Sequence, residues 1–135
     1  MTTFLSRRVA AAALAGVISV TALSSARADI EDYEFRLVQT DVERGNGAIV
    51  AVRLIDKRSG KAVPEVIIFA TRVDMAPDGM PTMTAPIEPI PSTEPGVYRF
   101  KTDLAMAGGW QLSLAAKVQG ETGTLENKLV LKVVP

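Results

Sequence analysis

The chain has 135 residues, 47% of them apolar, with 15 basic and 15 acidic side chains and neither cysteine nor histidine. That length fits a single domain. The missing residue types exclude thiolate or imidazole zinc sites, cysteine nucleophiles and the serine–histidine–aspartate triad, and they leave no disulfide to support the fold.

The first 28 residues read as a secretory signal. Arg7 and Arg8 supply the positive start, Val9–Leu23 the apolar run, and Ala26-Arg27-Ala28 a small-x-small cleavage site. The run is about 15 residues against the roughly 20 of a spanning helix, so cleavage is favoured over a membrane anchor. Ser6-Arg7-Arg8 also fits a twin-arginine signal, although the general secretory route is the simpler expectation. Cleavage after Ala28 leaves residues 29–135, with 12 basic and 15 acidic side chains and a net charge of −3. Such a domain is expected in the periplasm, and its acidic balance argues against a nucleic-acid partner.

Beyond the signal the chain is patterned for strands. Tyr33–Leu37 alternates apolar and polar residues. Glu43–Gly47 is a turn, and Ala48–Ile55 is apolar and β-branched enough for a central strand. Asp56–Lys61 is a charged turn, Val63-Pro64 permits only a strand start, and Glu65–Val73 is the third strand. Thr82–Ile90 carries Pro86 and Pro89 and predicts a short edge strand or an extended bridge. A turn at Pro91–Gly96 leads to a strand at Val97–Thr102, a loop at Asp103–Gly109 and a strand at Trp110–Val118. Gln119–Gly123 is a hairpin turn before the last strand, Thr124–Val134. About seven short strands with regular turn signals predict an all-β, immunoglobulin-like antiparallel β-sandwich. Its core is expected to contain Trp110, Phe35, Phe69, Tyr98 and the β-branched residues.

The interruption between the third and fourth strands, Asp74–Met83, is rich in methionine. If successive strands run antiparallel, their connections alternate between the two ends of the sandwich. Asp74–Met83, Asp103–Gly109 and the first turn, Asp41–Gly47, then share one end. Met75, Met80, Met83 and Met106 converge there, none of them at a predicted strand centre. Thioethers are soft, neutral donors suited to Cu(I) or Ag(I), and they survive where thiols are oxidised. Asp74 or Asp78 would add a hard oxygen ligand, and Trp110 is a candidate cover through its ring face. Two plainer readings stay open: methionines packing the end of the sandwich, and an apolar protein-binding surface. Trp110 is most simply a core residue, and Asp78-Gly79 most simply a turn.

Several segments, in order, resemble the FixH/YtkA-like family. They are Arg53–Val66, Met75-Ala-Pro-Asp-Gly-Met80, Glu94-Pro-Gly-Val-Tyr-Arg-Phe100 and Met106-Ala-Gly-Gly-Trp-Gln-Leu112. The resemblance spans roughly residues 33–134. It implies a small β-sandwich linked to assembly of copper-containing oxidases or to heavy-metal efflux, with copper or silver as cargo and periplasmic or membrane-bound proteins of those systems as partners. FixH proper carries a membrane anchor, whereas this chain has the pattern of a cleaved signal, which favours a soluble accessory protein. The expectation is therefore a metal-handling binding module. Its alternative is a non-metal interaction module docking on a membrane-complex subunit through the methionine rim or an edge strand. An enzyme is not expected, because no nucleophile or paired-carboxylate motif is present.

Overall fold

In Trp110–Val118 every second side chain is apolar, and a strand turns such a pattern into one buried face. The computed structural model describes residues 29–135 and places Trp110, Leu112, Leu114, Ala116 and Val118 in the core. The expected signal peptide, residues 1–28, lies outside the described residues.

Ten strands follow a short 3-10 turn at Ile30–Asp32: β1 (Tyr33–Leu37), β2 (Asp41–Glu43), β3 (Gly45–Asp56), β4 (Lys61–Ala62), β5 (Val66–Met75), β6 (Met80–Ala85), β7 (Ile87–Ile90), β8 (Val97–Leu104), β9 (Gly108–Val118) and β10 (Leu125–Val134). One sheet has the order β1-β3-β8-β7, with β4 beside β3; the other has the order β2-β10-β9-β5-β6. All pairs are antiparallel except β2 with β10. Side chains from both inner faces, led by Trp110, Phe35, Phe100, Leu54 and Leu112, form one core. This is the expected immunoglobulin-like β-sandwich, and burying each large apolar side chain contributes about 1.5–3 kcal/mol.

Several elements differ from the sequence reading. The extended bridge over Thr82–Ile90 is two strands, β6 in one sheet and β7 in the other, with the chain crossing at Pro86. Pro86 cannot donate to a ladder, and its carbonyl accepts the Thr102 hydroxyl at 2.7 Å, which fixes the crossing. The turn expected at Glu43–Gly47 is partly strand, because β3 begins at Gly45 with a register shift between Gly45 and Ala48. Phe69 is not in the core; it is 55% exposed. The register of β5 on β9 shifts between Ile68 and Ala70, leaving Phe69 as the extra residue of a β-bulge. Tyr98 is half-buried and meets the Phe35 ring edge-on, with centroids 6.4 Å apart.

Candidate functional site

The methionine segment is not an open loop. β5 continues through Asp74 to Met75, Ala76–Asp78 makes one 3-10 turn, and Gly79 takes the left-handed conformation (φ 77°) that lets the chain double back into β6. Met83 therefore lies within a strand. On the facing connection only Ala105–Ala107 separates β8 from β9. The expected meeting of these connections does occur. The Gly109 amide donates to Asp78 Oδ2 at 3.1 Å, and the Gly47 amide donates to Asp103 Oδ1 at 2.8 Å. Gly108 has φ 137°, and a Cβ there would run into the Asp78 carboxylate and come within 3.1 Å of the Met75 methyl. The close docking of the 3-10 turn on β9 thus depends on glycine at 108.

The sulfur side chains at this rim divide into two groups. Met75 has no exposed surface, and Met80, its cross-strand partner, is partly buried against the core. Their thioethers pack the end of the sandwich. Met83 and Met106 are 39% and 40% exposed. Asp74 is buried, with Oδ2 accepting from Arg72 Nε at 2.9 Å and Oδ1 accepting from the Ala76 amide at 2.8 Å, so it braces the turn. Asp78 is engaged by Gly109. Trp110 is 1% exposed and donates its indole N–H to the Met106 carbonyl at 2.9 Å, which makes it a core residue tied to the rim and not a cover over it. Among the described residues no group of three or more carboxylates is placed to hold a metal ion. The thioethers left open to solvent at this rim are those of Met83 and Met106.

A second feature lies along one side of the sandwich. β6 pairs with β5 only from Val73 onward, through Val73–Ala85, Asp74–Thr84 and Met75–Met80. The first half of β5 is paired with β9 on one side only. β7 is likewise an edge strand, paired with β8 alone. Between these two free edges runs a groove of about 680 Å³, lined by Ile68 and Phe69 of β5, Ile90 of β7, and Val97, Tyr98 and Phe100 of β8, with Pro64 and Pro95 among its other walls. The Tyr98 hydroxyl donates to the Val63 carbonyl at 3.0 Å. Burial, the largest influence, raises its pKa above the ordinary tyrosine value. Ile67, next to Phe69, is 70% exposed. The sequence does carry a signal for this surface. Val66-Ile-Ile-Phe-Ala70 is apolar throughout, whereas a strand buried on one face needs only alternate apolar residues.

A model of the YtkA-like family matches residues 27–115. The chain belongs to the YtkA-like family. The matched span runs from the start of the described domain into β9 and includes both the rim and the groove. No curated protein matches this YtkA-like chain. Among solved structures, it is similar to the Lin-41 filamin domain, at 17% identity over 80% of this chain and 95% of that one, with a TM-score of 0.47. It is also similar to the ZirS C-terminal domain, at 15% identity over 94% and 87%, with a TM-score of 0.44. The Yersinia pseudotuberculosis adhesin InvE matches at 15% identity over 83% of this chain and 29% of that one, with a TM-score of 0.44. Among the described residues no helix is long and apolar enough to cross a membrane.

Proposed function

We propose that this YtkA-like domain is a non-catalytic protein-interaction module whose binding surface is the groove between β5 and β7. The observation that carries this reading is the unpaired first half of β5, with Phe69 bulged outward beside an apolar trough. Backbone groups on such an edge supply hydrogen bonds to an extended segment, and alternate pockets supply selectivity. Selection from a library of random peptides against the purified protein tests it. Extended sequences with apolar residues at alternate positions are expected to enrich, and Phe69→Lys is expected to abolish the enrichment. No enrichment, or enrichment that Phe69→Lys leaves untouched, rejects the groove as the binding surface.

A second reading keeps the soft-metal role. The exposure of Met83 and Met106 favours it, because those thioethers are open to an incoming ion. With Met80 they would hold Cu(I) or Ag(I) loosely for exchange with proteins of an efflux or oxidase-assembly system in the periplasm. Titration with Cu(I) against a competing chelator checks it: binding that disappears when Met83 and Met106 become Leu supports the role, and no competition rejects it.

A further inference from the structure

The open stretch of β5 has defined ends. Pro64 has no amide hydrogen to donate, so a ladder along this edge stops there. At the other end Val73 is already paired with Ala85. Between them lie Glu65–Arg72. An antiparallel strand that uses this whole stretch, and is itself the same stretch, has one register: Glu65 opposite Arg72, Val66 opposite Thr71, Ile67 opposite Ala70, and Ile68 opposite Phe69.

The side chains agree with that register. Val66 and Ile68 sit opposite the buried Val118 and Ala116 of β9, which places them on the inner face, while Ile67 sits opposite the exposed Lys117. In an unbroken strand, residues whose numbers sum to an odd value fall on opposite faces, and the pairing would set inner residues against outer ones. The bulge at Phe69 inserts one residue and reverses the parity, so Thr71 is inner, opposite the buried Leu114, and Arg72 is outer, opposite Ser113. Val66 with Thr71 and Ile67 with Ala70 then match face to face. Glu65 and Arg72, both exposed and of opposite charge, would stand opposite each other at the two ends, with the Arg72 guanidinium already donating to Asp74 at 2.9 Å and to the Pro81 carbonyl at 2.8 Å. A parallel arrangement would instead set Glu65 against Glu65 and Arg72 against Arg72. The two Phe69 side chains flank the two-fold axis.

We infer that the occupant of this edge is a second copy of the chain, paired antiparallel through Glu65–Arg72 about a two-fold axis between Ile68 and Phe69. This rests on the reading of the β5 edge as a protein-binding surface and names its partner. An interface of this kind is isologous, with each residue contacting its complement twice. It also covers an edge that would otherwise stand open to indiscriminate pairing.

The chain's lack of cysteine makes the register directly testable. Sedimentation of the full-length protein over a concentration series is expected to show a doubling of mass that Phe69→Lys abolishes. Mixing an Ile67→Cys variant with an Ala70→Cys variant under mild oxidation is expected to give the mixed disulfide in excess over either homodisulfide. Glu65→Arg, which sets two cations together at each end, is expected to weaken the dimer and Glu65→Gln to weaken it less, with thermal melts confirming that each variant is folded. A protein that stays monomeric up to its solubility limit overturns the inference, as does a dimer that survives Phe69→Lys or forms no 67–70 disulfide. If the protein is monomeric but Phe69→Lys still abolishes peptide enrichment, self-pairing is overturned and the protein-binding reading stands. If both fail, both are overturned.

Discussion

The two long sides of this sandwich are built differently. On one side β1 is the edge of its sheet and β10, before β2 joins it at Lys132, is open toward β1, and side chains sew the two together. Asn127 Oδ1 accepts the Phe35 amide at 2.7 Å, and the Tyr33 hydroxyl donates to Glu121 at 2.8 Å. β2 covers the end of β10 through its parallel pairing. On the other side β5 and β7 face each other across the groove, and β6 reaches only the last three residues of β5. The same core supports both seams, so the open one is not a general weakness of the fold. It follows from where the chain crosses between sheets: Pro86 takes it away from β5 just as pairing has begun. The closed seam is held by side-chain hydrogen bonds, and the open one leaves the first half of β5 without a second strand partner.

That contrast can be broken or sharpened by substitution. Trp110→Ala removes the core residue that lies beneath both sides and is expected to cost about 3–5 kcal/mol in chemical denaturation, which sets the scale for the rest. Asn127→Ala is expected to cost about 1–3 kcal/mol, because it leaves the Phe35 amide without its partner. A neutral result there would remove the distinction between the seams. Phe69→Ser, on the open side, is expected to change stability by no more than about 0.5 kcal/mol, since an exposed bulge residue contributes little to packing. A large loss would mean that the groove is a structural fold-back.

The smallest effect is on pH dependence. The folded-state pKa of Tyr98 is raised, chiefly by burial. The folded protein therefore holds that proton more tightly than the unfolded chain does. The associated stability is fully present below the unfolded tyrosine pKa and is lost as pH rises through the folded one. Alkaline denaturation of Tyr98→Phe, compared with the parent, is expected to show a shallower loss over that window.

The strands were legible wherever one face is buried and the other is not. β8 and β9 follow from alternation alone, and the meeting of the two rim connections follows from counting antiparallel turns. The fate of the rim side chains was not legible. Met75 extends its strand by two residues beyond the expected end at Val73 and turns into the core, which periodicity does not reveal in a short segment broken by Pro77 and Gly79. Asp74 and Asp78 are candidate oxygen ligands in sequence, and both are engaged in holding a turn, the plainer reading that Asp78-Gly79 carries. Phe69 reads as a core residue in sequence because a bulge leaves no mark on hydrophobic pattern, although one inserted residue redirects the side chain. The open seam depends on how far β6 extends along β5, a long-range property that no local motif encodes.

The central claim is that the β5 side is a binding edge and the β10 side is not. Site-specific photocrosslinking from position 69, with the exposed position 128 of β10 as the reference, tests it most directly. The account predicts discrete protein adducts from position 69, including the chain's own dimer, and none from position 128. Equal labelling from both positions, or none from position 69 in folded protein, would contradict it.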